Sequence, residues 1–465
     1  MTFNSLQFLV FFMVVTLWYF RLKNQKGRIW LLLIASCYFY MSFIPEYILI
    51  LGGTIIVDYF AGLLIEKSEA GKRKFWLITS LIANIGALAV FKYYNFFIDN
   101  IHTGFLFFGK PLSLPLLKMA LPIGLSFHTF QAMSYTIEVY RRKQAAERNF
   151  VAYALYVMFY PQLVAGPIER PQNVLPQLKE FRPYNWDNVK EGLARMLWGF
   201  FKKVVIADRL AMVVERTYGH VHDSSSLALF TGAVFYSFQI YCDFSGYSDI
   251  ALGAAKVMNI RLMENFKQPY LSHSISNFWT RWHVSLSSWF RDYVYIPLGG
   301  NRKGEWRRKL NVMIVFLLSG LWHGANWTFV VWGLLHGLLV ILLTRKTQQE
   351  PERRNKLINA LWMLSTFILV TFLWIFFRSE NIGAAWAYIK EIFALRGGSN
   401  YLGFNSRNEL YFSILVIAIM LYREKFLPGH FITNNIRFYC FTAMMVLICY
   451  FFGVFAENQF IYFQF

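Results

Sequence analysis

Long apolar runs separated by short basic clusters are the feature that most limits how this chain can fold. Crossing the roughly 30 Å hydrocarbon core of a bilayer takes about 20 helical residues. Apolar runs that approach this length begin near Leu6, Ile29, Tyr47, Phe75, Leu117, Glu191, Leu227, Leu310, Leu357, Leu410 and Phe438. The pattern predicts an all-α polytopic membrane protein with about eleven transmembrane helices, in a single membrane-embedded domain over residues 1–465.

The composition also indicates lipid as the surrounding solvent. Hydrophobic residues make up 56% of the 465 residues and aromatic residues 19%, whereas only 15% are charged. A soluble domain carries about 25% charged residues, and a surface this apolar would expose large adhesive patches in water. The net charge of +20 falls in clusters between apolar runs, so it indicates topology rather than a nucleic-acid partner.

The basic clusters predict how the chain is oriented. Residues 21–28, 67–74 and 141–148 carry the first three clusters, and two crossings separate each from the next. The positive-inside rule places them all in the cytoplasm, which leaves the N-terminus and the C-terminal tail outside. Four prolines within residues 165–188 predict a loop or a broken helix there. The four cysteines have no metal-binding spacing, so no metal site is expected.

His323 is the strongest candidate for a catalytic group. It lies fourteen residues beyond Lys309, which on a straight helix is roughly 21 Å into the membrane. Ionisable groups at that depth are costly and are by default functional, and an imidazole exchanges protons near neutral pH. The alternative is a neutral histidine in the helix bundle, where Gly320 and Gly324 favour close packing. His336, on the same apolar stretch, is interpreted as a packing residue.

Two carboxylates, those of Asp243 and Asp249, lie within an apolar run. Six residues apart, they point in different directions on a helix, so each needs its own partner. Arg281, Arg291 or His283 could supply it, and the alternative is an ion-pair network that only holds helices together.

Residues 259–304 mix tryptophans with charged side chains, including Asp292. We interpret this segment as a re-entrant or cavity-lining element, with an amphipathic helix at the membrane interface as the alternative.

Several of these stretches together resemble the membrane-bound O-acyltransferase family in its bacterial polysaccharide-acetylating branch. The likeness is carried by residues 160–170 (YPQLVAGPIER), 243–249 (DFSGYSD), 277–283 (NFWTRWH), 292–301 (DYVYIPLGGN) and 321–324 (LWHG). It covers most of the chain. The resemblance implies a helical bundle, with re-entrant or interfacial helices, around a central funnel or tunnel in the bacterial cytoplasmic membrane.

The resemblance also implies a reaction and its residues. It assigns the catalytic histidine to His323 and the second histidine to His283, with acetyl-CoA as a cytoplasmic donor substrate and no permanently bound cofactor. The remaining assignments are a supporting polar network and a basic loop that attracts the donor phosphates. The network comprises Asp243, Asp249, Arg281 and Asp292, and the donor-binding residues are Arg302, Lys303, Arg307 and Arg308.

Three functions remain open from the sequence. The first is an O-acetyltransferase that supplies acetyl groups to an extracytoplasmic polysaccharide, such as alginate or peptidoglycan, through a secreted hydrolase-like partner. The second is a lipid or protein acyltransferase with another donor. The third is a non-enzymatic transporter whose buried His and Asp residues form a proton or ion path.

The last residues, 458–465, are unusually aromatic for a tail outside the membrane. One interpretation is an aromatic anchor at the membrane interface. The other follows from a likeness to the tail of a small partner protein in teichoic-acid D-alanylation. On that likeness Tyr462 is a candidate acyl carrier, whose hydroxyl meets His323 and passes the acetyl group on.

Overall fold

The structure, a computed structural model, describes residues 1–110, 114–117, 122–163, 166–343, 355–404, 406–427, 434–455 and 460–461. Within these ranges the regular secondary structure is helical, and one isolated β-bridge joins Ser224 and Ser399. The chain divides into two compact units. Unit 1 comprises Met1–Leu193 and Ile250–Met263, and unit 2 comprises Ala194–Asp249 and Glu264–Phe465. The single membrane domain stays a prediction.

Unit 1 holds the first nine helices. They are α1 (Leu6–Arg21), α2 (Gln25–Met41), α3 (Tyr47–Lys67), α4 (Ala70–Leu88), α5 (Tyr94–Phe107), α6 (Leu125–Tyr140), α7 (Phe150–Met158), α8 (Tyr160–Leu163) and α9 (Pro171–Lys179). A π-helical turn, Ala89–Tyr93, joins α4 to α5. Two helices contain residues of both units, namely α10 (Trp186–Phe200) and α12 (Ser226–Val257).

Unit 2 holds the remaining helices. They are α11 (Asp208–Gly219), α13 (Ile275–Trp279), α14 (Val284–Phe290), α15 (Gly304–His323), α16 (Trp327–Leu343), α17 (Lys356–Arg378), α18 (Ile382–Phe393), α19 (Arg407–Phe426) and α20 (Asn435–Phe452). Two π-helical segments, Phe201–Ala207 and Arg291–Tyr295, continue α10 and α14. The large apolar core of unit 2 is rich in aromatic side chains.

The apolar helices agree with a membrane protein. Among the described residues, five helices are long and apolar enough to cross a bilayer. They are Tyr47–Lys67, Ala70–Phe107, Ser226–Val257, Lys356–Arg378 and Asn435–Phe452, and two shorter apolar helices are Leu6–Arg21 and Trp327–Leu343. Ten of the eleven predicted starts lie inside a helix, and Leu117 precedes residues outside the described ranges. The number of about eleven crossings stays a prediction.

The structure bears on two details of the sequence interpretation. The proline-rich segment contains a short helix, as the broken-helix alternative predicts, because α9 begins at Pro171, a position where a missing N–H costs nothing, and ends at Lys179. The apolar stretch that contains His323 and His336 is not one helix. It breaks at Gly324, whose backbone is extended, and α16 begins at Trp327.

One member of the first basic cluster has a structural role. Arg28 is buried in unit 1, where its guanidinium donates to the carbonyl oxygens of Leu22 and Arg182, over 3.1 and 2.5 Å. It also lies 4.1 Å from the ring centroid of Phe181. Arg28 therefore ties the α1–α2 connection to the segment that follows α9, whereas Arg21 and Lys23 are exposed.

Candidate functional site

Helices α15 and α16 form an antiparallel hairpin whose close approach depends on glycine. A Cβ atom on Gly320 would lie 2.2 Å from the carbonyl oxygen of Phe329, and one on Gly333 would lie 2.3 Å from that of Phe316. Neither backbone oxygen can move aside cheaply, so only glycine fits at these two crossing points. His323 is the last residue of α15. The hairpin therefore fixes His323 at its closed end.

The imidazole of His323 lies in an aromatic enclosure. The residue is 3% exposed, and three aromatic rings meet its ring edge to face. The centroid distances are 4.9 Å to Trp322, 5.2 Å to Trp332 and 5.2 Å to Phe377. Such contacts hold the ring orientation by packing. The position predicted to be catalytic is thus a buried and rigidly held imidazole.

His283 belongs to the same aromatic cluster. It is fully buried and precedes α14 with a left-handed backbone, φ 45° and ψ 54°, a conformation that non-glycine residues adopt rarely. Its ring centroid lies 4.7 Å from that of Phe244 and 6.0 Å from that of Trp322. Because Trp322 contacts both imidazoles, the structure brings His283 and His323 into one cluster.

His336 occupies a neighbouring position on α16. The indole N–H of Trp279 donates to its Nδ1 over 3.2 Å, and its ring packs 4.8 Å from that of Trp332. An indole can only donate, so Nδ1 of a neutral His336 must be the acceptor and Nε2 carries the proton. These contacts suit the packing role that the sequence indicates for this residue.

The two carboxylates on α12 have partners that the sequence analysis did not name. Asp243 lies 2.7 Å from Nζ of Lys203. Asp249 lies 2.5 Å from Nζ of Lys202 and 2.8 Å from the guanidinium of Arg195. The assignment of Arg281, Arg291 or His283 as partners was therefore wrong.

The missed lysines lie on the π-helical segment Phe201–Ala207 that extends α10. A signal for them existed in the sequence, since two adjacent lysines in an apolar run require buried anionic partners. The geometry that allows the pairing was not visible there. A Cβ atom on Gly246 would lie 2.8 Å from the carbonyl oxygen of Gly199, so glycine permits α12 to approach α10 closely.

Two members of the predicted polar network lie elsewhere in unit 2. Asp292 pairs with its neighbour Arg291, over 2.8 Å. Arg281 follows α13, and its carbonyl oxygen accepts from the amide of Lys267. Within the part of the chain that the structure describes, neither residue joins the ion pairs of Asp243 and Asp249.

The four predicted donor-binding residues lie at the start of α15. Arg302 and Lys303 are exposed in the turn that precedes the helix. Arg308 makes a paired contact with Glu305, with distances of 2.5 and 3.1 Å, and Arg307 lies 3.5 Å from the carbonyl oxygen of Leu298. The side chains of Arg302 and Lys303 are thus more available for an anionic ligand than those of Arg307 and Arg308.

The structure also brings residues 460–461 into the core of unit 2. The ring of the fully buried Phe460 packs on Tyr247, with centroids 4.4 Å apart, and lies 5.8 Å from Phe244. The amide of Ile461 donates to Oδ2 of Asp243 over 2.8 Å. Tyr462, the candidate acyl carrier, lies outside the described residues.

The apolar helices, the buried ion pairs and the enclosed imidazoles define a multi-pass membrane protein with a polar site inside its helical core. The model of the membrane-bound O-acyltransferase family, MBOAT, matches residues 73–383, and the chain belongs to this family.

Curated relatives agree with this membership. The chain is 40% identical over 400 residues to a protein of Pseudomonas aeruginosa named "Probable alginate O-acetylase AlgI", covering 85% of this chain and 75% of the relative. It is 35% identical to the peptidoglycan O-acetyltransferase of Helicobacter pylori, covering 80% and 75%. It is 27% identical to the teichoic acid D-alanyltransferase of Bacillus subtilis, over 47% of this chain and 58% of the relative.

Proposed function

We propose that this protein is an O-acetyltransferase that takes acetyl groups from acetyl-CoA in the cytoplasm and supplies them for O-acetylation of an extracytoplasmic polysaccharide. The observation that carries the proposal is the enclosed His323 at the end of α15, in a chain of this family. The relatives named as alginate and peptidoglycan O-acetyltransferases support acetyl as the group transferred. A separate secreted transferase of the hydrolase-like type would meet the polysaccharide.

The proposed chemistry places His323 as a general base. Its neutral imidazole takes the proton of the acceptor hydroxyl while that oxygen attacks the thioester carbonyl carbon. A C–O bond forms, the C–S bond breaks, and the proton passes from the imidazolium to the thiolate of coenzyme A. Polar groups that face the developing oxyanion lower the barrier. His283, held against the same Trp322, has a positioning role.

The donor enters, in this proposal, from the side of the basic turn before α15. Exposed Arg302 and Lys303 attract the phosphates of coenzyme A at long range. Arg307 and Arg308 follow them near the start of α15 and contribute less. This orientation follows the positive-inside rule, which also gives an extracytoplasmic N-terminus and tail.

The acceptor hydroxyl in this proposal is that of Tyr462. The burial of Phe460 and Ile461 favours a tail that enters unit 2 over an anchor at the membrane interface. Contacting rings run from Phe460 through Phe244 and His283 to Trp322, which contacts His323. Acetyl-tyrosine would then pass its acetyl group to the secreted partner.

The test measures free coenzyme A released by purified protein from acetyl-CoA and, in parallel, from palmitoyl-CoA. We expect a single round of coenzyme A release with acetyl-CoA, because the acetyl group stays on Tyr462 in the absence of the secreted partner, and little release with palmitoyl-CoA. Preference for palmitoyl-CoA would favour the lipid or protein acyltransferase, and release from neither donor would favour the transporter. Deletion of the gene, followed by measurement of acetyl esters on each cell-surface glycan, would identify the polysaccharide.

A further inference from the structure

The main chain at residue 461 makes a specific contact with a buried carboxylate. The Ile461 amide donates to Oδ2 of Asp243, and both residues are buried. A hydrogen bond from a backbone N–H to a carboxylate is stronger than one between neutral groups, and it does not depend on the side chain of the donating residue. Asp243 therefore fixes the path of the chain at this point, whatever the side chain of residue 461.

The other oxygen of Asp243 is held independently. Oδ1 lies 2.7 Å from Nζ of Lys203, and the same Nζ lies 2.8 Å from Asp208. One buried ammonium thus lies between two buried carboxylates. A buried ion pair of this kind constrains the orientation of its members, because an unpaired charge there would be costly. The ion pair therefore orients Asp243, whose second oxygen accepts from residue 461.

An aromatic surface completes the contact. The ring of Phe460 packs on Tyr247, one turn beyond Asp243 on α12. Nζ of Lys203 lies 5.5 Å from the ring centroid of Tyr247. The same lysine thus contacts both the carboxylate that holds residue 461 and the ring that holds Phe460.

We propose that Asp243, Lys203 and Tyr247 form a docking cluster for residues 460–461, and that Asp243 is the positioning residue that sets where residue 462 lies. The ligand of this cluster is a peptide segment with an aromatic ring followed by a backbone N–H, supplied by the same chain. The role in transfer rests on the proposed carrier function of Tyr462, whereas the docking rests on the contacts alone.

The first experiment measures docking without reference to catalysis. In an Ile461→Cys variant, a soluble maleimide labels the introduced thiol, and mass spectrometry of the peptide containing it follows the rate. Asp243→Ala should accelerate labelling about tenfold by opening the segment. Asp249→Ala, which removes a second lysine-paired carboxylate on the same helix without touching residue 461, should not. Equal acceleration by both, or by neither, would overturn the docking cluster.

The second experiment removes only the backbone N–H that donates to Asp243. Ile461→Pro deletes this N–H, whereas Ile461→Ala truncates the side chain and keeps the N–H. Proline should lower kcat for polysaccharide acetylation about a hundredfold, as a misplaced acceptor does, with KM for acetyl-CoA unchanged. Alanine should lose much less activity than proline, because it keeps the N–H that donates to Asp243. Asp243→Ala combined with Ile461→Pro should be no worse than either alone, and additive losses would contradict the proposal.

A third variant separates this inference from the proposed function. Tyr462→Phe keeps the ring and removes the hydroxyl. If the Tyr462→Phe variant retains full activity while Asp243→Ala still exposes residue 461, the docking cluster is confirmed and its proposed role in acetyl transfer is wrong. If Tyr462→Phe is inactive and Asp243→Ala changes neither labelling nor kcat, the carrier stands and the docking cluster is wrong.

Discussion

Trp332 separates two buried imidazoles whose contacts differ. The His323 ring packs against three aromatic rings at the end of α15, and Nδ1 of His336 accepts a hydrogen bond from Trp279. A histidine that satisfies an indole N–H has a structural reason for its place. One at the end of a hairpin, enclosed by aromatic rings, suits a group that meets a substrate.

His336→Ala should therefore lower stability and leave catalysis measurable. The half-buried indole of Trp279 would lose its acceptor, which costs about 1 kcal/mol. Thermal unfolding in detergent should show a lower midpoint, with coenzyme A release per folded molecule close to wild type. A complete loss of turnover at an unchanged midpoint would instead place His336 in the catalytic machinery.

His283→Asn should reduce kcat without abolishing it. Asparagine tolerates the left-handed backbone at this position better than alanine does, so the substitution removes the imidazole with little added strain. Because His283 packs on the same Trp322 that contacts His323, we expect a partial loss, of about tenfold to a hundredfold, typical of a displaced catalytic group. Loss as complete as that of His323→Ala would give His283 a direct role in proton transfer.

At the scale of elements, the α15–α16 hairpin positions His323. Gly320→Ala should destabilise it, because the new methyl would meet a backbone oxygen at 2.2 Å, and overpacking of this kind costs about 1–3 kcal/mol or more. Both the unfolding midpoint and turnover should fall. Gly86→Ala on α4, with open space around it, is the matched control and should be neutral or slightly stabilising. Equal effects would show that the crossing point is not tight.

The turn before α15 should govern donor affinity. Arg302→Glu with Lys303→Glu places negative charge where we propose that the donor phosphates bind, so KM for acetyl-CoA should rise and its salt dependence flatten. Arg307→Glu with Arg308→Glu should act in the same direction but less, because Glu305 already pairs with Arg308. Arg21→Glu with Lys23→Glu controls for net charge. A change in kcat alone would indicate a topology role for the turn.

The elements differ in how far the sequence predicts them. The apolar runs predict helices such as α3 and α17, because the length of an apolar run can be read from consecutive residues alone. The break after His323 was missed, because Gly324 and Asn326 are too few to end an apolar run when hydropathy is averaged over the length of a membrane span. The partners of Asp243 were missed for another reason, since pairing with Lys203 depends on how closely α12 approaches the π-helical segment after α10.

At the scale of the whole molecule, the proposed path of the acetyl group passes through Tyr462. Tyr462→Phe should abolish polysaccharide acetylation, because the aromatic ring remains but the nucleophile is gone. Acetyl esters on the cell-surface glycan are the measurement, and a Phe460→Tyr variant, whose hydroxyl lies two residues away, tests whether any nearby phenol suffices. Full acetylation by Tyr462→Phe would end the carrier hypothesis.

The central claim is that His323 drives acetyl transfer from acetyl-CoA. Its most direct test is the rate of coenzyme A release by purified His323→Ala protein, compared with wild type and with His336→Ala, each at a confirmed folded fraction. The account predicts that coenzyme A release by folded His323→Ala protein slows by a factor of about a hundred or more, as for a missing general base, whereas release by folded His336→Ala protein stays close to wild type. A near-normal rate of release by folded His323→Ala protein would contradict it.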